Sequence, residues 1–188
     1  MSSLPTPTLY VMPVEPGCPI SLGHETDLAD AAALLGVLCA AADSHERRPF
    51  MRRVVREARW GLWEEPRLPR PLVQSKYPVI YPWSLGARAV FAANSKRPAG
   101  GYGLVIEHCI PGIILIRELI ERAHDLTPES LIDLLSTRLT AAVITREENK
   151  LLDKVGLQAR MPDGADPTDP WARYRAAGLH PDEFKAVG

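Results

Sequence analysis

The sequence predicts an α+β domain, predominantly helical, carrying one small two-strand-plus-helix (ββα-like) unit over roughly residues 101–157. Three observations predict it. Beyond residue 26 most of the chain falls into alanine-, leucine- and arginine-rich segments whose apolar residues recur three and four apart, the spacing of a helix face. Two short runs, GLVIEH and TAAVIT, have the β-branched character of strands instead. The second run leads directly into TREE, a threonine followed three residues later by a glutamate, which is a helix-start signature.

In chain order, Pro5, Pro7, Pro13, Pro16 and Pro19 keep residues 1–25 extended, because each fixes φ and removes a donor. Residues 26–188 then read as a single globular domain. TDLADAAALLGVLCAAADSH is the first helix, with an apolar stripe through Leu28, Ala31, Leu35, Leu38 and Ala42. A second helix runs from about Glu46 to Trp63, its inner face Phe50, Val54, Ala58 and Leu62, its outer face Arg48, Arg52, Arg56 and Arg59. Prolines punctuate EEPRLPRPLVQSKYPVIYPWS, whose YPVIYPW portion reads as an extended segment, and SLGARAVFAANSK forms a short helix. The glycines of PAGGYG release the chain into a strand at Leu104 to Glu107. IILIRELIERAHDL is a mostly buried helix. Thr127-Pro128-Glu129 starts the next, since threonine caps and proline suits the first helical position. After TAAVIT, the helix REENKLLDKV stops at Gly156, and the tail holds one short helix from about Asp169 to Ala177.

Composition narrows the function classes. With 188 residues, 46% hydrophobic and 24% charged, the chain buries a core without staples. A net charge of -1 gives no global attraction to nucleic acid or membrane, so such binding needs a local patch. Residues 45–75 supply one: eight arginines against four acids give a local charge of +4. Cys18, Cys39 and Cys109 form no C-x-x-C pair, which argues for a reducing, cytoplasmic setting rather than a disulfide framework or structural zinc. The N-terminus reads as neither a secretory signal nor an anchor, and no membrane span is expected. Gly100-Gly101-Tyr102-Gly103 is not followed by the lysine of a P-loop, and no serine sits in a G-x-S-x-G setting.

The chemistry-bearing stretch is GLVIEHCIP, in which Glu107 and His108 end the first strand. A strand ending in acid-His, a returning strand and a helix with early polar residues resemble the HNH (ββα-metal) nuclease family over residues 101–157. The resemblance implies a phosphodiesterase acting on DNA or RNA. In it His108 matches the general base, Glu107 the metal-binding acid and Asn149 the family's Asn or His on the helix, with Glu148 a substitute ligand. It implies Mg²⁺ or Mn²⁺, since the ligands are oxygens and no thiolate set exists. The chain departs from the family pattern in the forty or so residues between its strands, in having no histidine on the second helix, and in lacking zinc-binding cysteine pairs. Convergence of Glu107 and His108 requires a bend or bulge, because neighbours in a regular strand point to opposite faces.

The arginine stripe fits the same reading. Arg48, Arg52, Arg56 and Arg59 would track a phosphate backbone, with Trp60 or Trp63 stacking on an unpaired base. Beside it stands a non-catalytic interaction or nucleic-acid-binding module, with a protein partner or a second copy as its alternative ligands, in which Glu107-His108 is an internal pair and the arginines a solvated face. A third reading comes from Arg117 and His124, an R-x6-H spacing similar to the loose signature of HEPN ribonucleases, which cleave RNA without metal. His24, His45 and His180 read as surface or capping residues.

Overall fold

The computed structural model describes residues 25–44, 48–68, 77, 80–94, 102–166 and 169–186. The extended segment expected at residues 1–25 lies outside them apart from Glu25, as does the side chain of Arg48. The elements are α1 (Asp27–Ala42), α2 (Arg48–Ala58), a π-helical turn (Arg59–Glu64), α3 (Glu65–Arg67), α4 (Leu85–Ala92), β1 (Leu104–His108), α5 (Gly112–Glu121), a 3-10 turn (Ala123–Asp125), α6 (Pro128–Arg138), β2 (Ala141–Thr145), α7 (Arg146–Lys154), α8 (Ala172–Ala176) and a 3-10 turn (Pro181–Glu183). This is the expected α+β class, helical around a two-stranded sheet. Among the described residues no helix is long and apolar enough to cross a membrane.

The sheet organises the packing. β1 and β2 pair antiparallel in unbroken register, from Leu104 opposite Thr145 to His108 opposite Ala141. Paired residues share a face, so Leu104, Ile106 and His108 lie with Ala141, Val143 and Thr145, while Val105 and Glu107 lie with Ala142 and Ile144. Helices cover both faces, and every residue of β2 is buried. On the first face Leu104, Ala141 and Val143 join Leu34 and Leu38 of α1, Leu115 and Leu119 of α5, and Leu131 and Leu135 of α6. On the second, Ala142 and Ile144 join Cys109, Leu152 of α7 and the aromatic trio Trp171, Tyr174 and Phe184. The three rings meet edge to face with centroids 5.5–5.8 Å apart, the arrangement their quadrupoles favour. The outer edge of β2 is covered where Val143 N–H donates to Pro82 O and Ser84 N–H donates to Val143 O, at 2.9 and 3.0 Å.

Capping sets the helix starts as the sequence expects. Thr127 caps α6 with Pro128 in its first turn, and Thr145 with Glu148 forms a capping box on α7. Gly156, at φ +70°, takes the left-handed conformation that ends α7.

Two helix phases differ from expectation. In α1 the buried stripe is Ala31, Leu34, Leu38 and Ala41, while Leu28 is exposed; a helix this uniformly apolar leaves its inner face undetermined by pattern. In the second helix Phe50 is 61% exposed, and the buried residues are Val55, Arg59 and Trp63. The inner face is therefore displaced from Phe50, Val54, Ala58 and Leu62 because it accommodates a buried charge pair. Arg59 Nη1 donates to Glu64 Oε2 at 2.6 Å across a spacing of five residues. In an α-helix, side chains five apart diverge by about 140°, and the wider π turn is what lets these two meet. Arg67 then fastens the turn to α1: its guanidinium stacks 3.8 Å over Trp63 and donates from Nε to Asp27 at 2.9 Å.

Candidate active site

His108 is the last residue of β1 and faces the α2 side of the sheet, where Glu64 of the π turn meets it. Its Nε2 lies 2.9 and 3.1 Å from the two carboxylate oxygens of Glu64. The Glu64 side chain is wholly buried, while His108 stays 22% exposed. Tyr81 donates its hydroxyl to Glu64 at 2.8 Å, so among the described residues the carboxylate has three partners: Arg59, Tyr81 and His108. Burial pushes the Glu64 carboxyl up, but His108, Arg59 and Tyr81 outweigh it and bring the pKa down to about 2. Burial and the neighbouring Glu64 charge raise the Tyr81 phenol, which stays protonated and a donor.

An ionised carboxylate only accepts, so Nε2 of His108 must carry its proton toward Glu64. The Arg59 Nη1–Nε2 approach of 3.4 Å is then a meeting of two donors rather than a hydrogen bond. In the neutral ring Nδ1 consequently holds the lone pair, and among the described residues it has no partner. The dyad fixes the ring through Nε2 and leaves Nδ1 as the atom that can accept a proton.

This imidazole lines a solvent-open cleft of about 670 Å³ between α2 and the start of α5, together with Arg52, Arg53, Arg56 and Arg59. Gly112 and Ile113, the first residues of α5, line it too, and the leading amides of a helix have no intrahelical acceptor. Arg53 and Arg56 are exposed; Arg59 is 4% exposed, and its Nε is buried with no acceptor among the described residues. A cleft walled by guanidinium groups is chemically suited to an anion with several oxygens.

The other expected site residues fall elsewhere. β1 stays regular, so Glu107 and His108 point to opposite faces, and Glu107 pairs with the buried Arg173, which also donates to the carbonyls of His108, Cys109 and Leu157. Glu148 is used by the capping box: its Oε2 accepts from Thr145 N–H at 2.7 Å and from the Ser84 hydroxyl at 2.7 Å. Asn149 is on α7, which covers the Glu107 face, and its Oδ1 is buried without a partner among the described residues. The sheet therefore separates Asn149 from His108. The set Glu107, Asn149 and Glu148 implied for Mg²⁺ or Mn²⁺ does not fit that role as arranged. Among the described residues no group of three or more His, Cys, Asp or Glu side chains could hold a metal ion.

Of the arginine stripe, Arg52, Arg56 and Arg59 do line one cleft with His108, Arg53 joins them, and Arg56 also pairs with Glu57 at 2.8 Å. Trp63 is sealed in the core. Arg117 and His124 line a second, smaller cavity, but His124 sits beyond α5 in the 3-10 turn and bonds Asp43 at 3.1 Å.

A scan of protein-family models and comparisons with curated proteins and with solved structures find no match to this chain.

Sequence reasoning missed Glu64, Tyr81 and Arg173. Arg59 and Glu64 are five apart, a spacing that matches no regular helix pairing, and Arg173 sits in a short WARYR helix that reads as surface.

Proposed function

We propose that the protein binds the phosphodiester backbone of a nucleic acid, DNA or RNA, in the Arg52–His108 cleft and cleaves it with His108 as general base. The observation that supports this most is the Glu64-oriented imidazole opening into a cleft walled by four arginines. Phosphodiester cleavage needs a base at the attacking oxygen and positive charge around the phosphorus. Nδ1 of His108 takes the proton of the attacking hydroxyl or water as its oxygen bonds to phosphorus. Arg53, Arg56 and Arg59 stabilise the added negative charge. The bond to the departing oxygen then breaks, and that oxygen takes a proton from solvent at the open mouth. His108 thus keeps the role that the HNH resemblance implies, and no step passes through a metal.

The test is cleavage of supercoiled plasmid and of labelled RNA, each with Mg²⁺, with Mn²⁺ and with EDTA. Wild type cuts at least one substrate, and His108→Ala, folded by circular dichroism, loses that activity; the EDTA arm tells whether a divalent ion takes part. No cleavage by wild type, or undiminished cleavage by His108→Ala, overturns the catalytic reading.

One observation favours a second reading: among the described residues, no side chain lining the cleft other than His108 is suited to protonate a leaving group. A non-catalytic backbone-binding module needs only the arginines. It is supported if Arg53→Glu with Arg56→Glu abolishes retention on nucleic acid while the wild type cuts nothing.

A further inference from the structure

Beside the cleft lies a second cavity of about 230 Å³, between the last turn of α1, the start of α2 and the C-terminal half of α5. Its floor is apolar: Ala41, Ala42, Met51 and Ile120. Arg52 and Arg117 flank that floor. Arg52 also lines the cleft of His108, so the two recesses adjoin at that side chain. They follow α5 from Gly112 to Glu121, a length of roughly 14 Å at the rise of an α-helix.

A site for phosphate alone has no use for an apolar floor. A nucleotide has use for both parts: its phosphate wants guanidinium groups, and its base wants an apolar slot with cations that stack on its face. In a duplex the bases are turned inward, and one cannot enter a cavity beside its own backbone without leaving the stack. An unpaired base rotates out freely. The cavity is below the size of pockets that hold drug-sized ligands, about 300 Å³ and upward, which suits one flat group. At the rim, Glu121 offers an acceptor and His124 an imidazole to the polar edge of such a group.

We propose that this cavity is a base-binding pocket and that the strand bound in the adjoining cleft is single-stranded. The proposal rests on the reading of the Arg52–His108 cleft as a phosphodiester site. It assigns Arg117 to base stacking, with His124 at the rim, in place of the metal-free catalysis that their spacing suggested.

The test is fluorescence anisotropy of the full chain with a short labelled single strand, as RNA and as DNA, and with the matching duplex at equal salt. Wild type binds one of the single strands roughly tenfold tighter than duplex, the contribution of one stacked base. Arg117→Ala, at an exposed position, and Ala42→Phe, which fills the cavity, each remove that preference and leave duplex affinity unchanged. Equal affinity for single strand and duplex overturns the proposal, as does a preference that survives both variants with their fold intact. Arg53→Glu with Arg56→Glu separates the two readings. If it weakens single strand and duplex alike while the pocket variants do nothing, only the base pocket falls; if it changes neither, the phosphodiester cleft falls as well.

Discussion

Replacing Glu64 by Gln removes one buried charge from a group of four interacting side chains while keeping its volume. The side chains of Glu64 and Arg59 are 0% and 4% exposed, so the variant leaves a guanidinium buried beside His108 with no carboxylate to balance it. Breaking one half of a buried ion pair destabilises by about 3–5 kcal/mol. The lowered pKa of Glu64 points the same way. The Glu64 pKa falls from 4.5 to about 2, which corresponds to about 3 kcal/mol of stabilisation by the ionised form. The sign follows from the depressed value. The contribution is fully present above pH 4.5, the value for the unfolded chain, and is lost as pH falls through the folded-state value of about 2.

Urea unfolding followed by tryptophan fluorescence reads this directly, since Trp63 adjoins Glu64 and is buried. At pH 7 Glu64→Gln is expected to lose about 3 kcal/mol, a fall in Tm of roughly 6–12 °C for a chain of this size. The gap between wild type and variant narrows as pH drops from 4.5 toward 2, because the wild-type carboxylate protonates there. Adding Arg59→Met to Glu64→Gln recovers part of the loss, since the unbalanced cation is gone, and the double-mutant cycle shows coupling above about 1 kcal/mol. A variant within about 1 kcal/mol of wild type at pH 7, or a gap that does not change with acid, refutes the assignment of Glu64 as the buried anion that holds His108.

Two further expectations concern the residues first assigned to a metal. Arg173→Met strips Glu107 and four carbonyls of their shared donor and is expected to lose about 3–5 kcal/mol in urea, whereas Arg175→Ala, in an exposed pair with Asp169, changes stability by less than about 1 kcal/mol. Glu148→Ala opens the capping box and the Ser84 bond and loses about 1–2 kcal/mol, while Glu148→Gln keeps most of it; equal losses of Mn²⁺ uptake in both variants, measured by calorimetry, would instead mark Glu148 as a ligand.

The elements carried by local chemistry were legible in the sequence. Thr127-Pro128 and Thr145 with Glu148 announce α6 and α7 because capping is decided within four residues, and Gly156 ends α7 because it alone adopts the left-handed turn cheaply. The two strands were legible for the same reason, as short β-branched runs. What escaped were features whose cause lies far along the chain. The inner face of α2 depends on a buried anion at Glu64, itself held by Tyr81 and His108, which are 17 and 44 residues away. A search for apolar spacing cannot find a helix face that is partly ionic. Arg173 escaped likewise, since its five-residue helix shows no sign that a carboxylate 66 residues earlier awaits it.

The adjacency of Glu107 and His108 is thus two separate devices rather than one site. Strand alternation sends the carboxylate to the α8 side, where it balances Arg173 and ties the C-terminal tail to β1. It sends the imidazole to the α2 side, where a different carboxylate, Glu64, orients it. The regular strand also decides which cations the imidazole meets. Because Glu64 lies in the π turn that continues α2, holding His108 to Glu64 holds it to the end of the arginine face. In the proposed chemistry one contiguous stretch, Arg52 to Glu64, supplies the charge for a phosphate and holds the base, His108, at the end of a strand. That coupling is why a substitution at Glu64 bears on stability and on the proposed chemistry together, while one at Glu107 bears on stability alone.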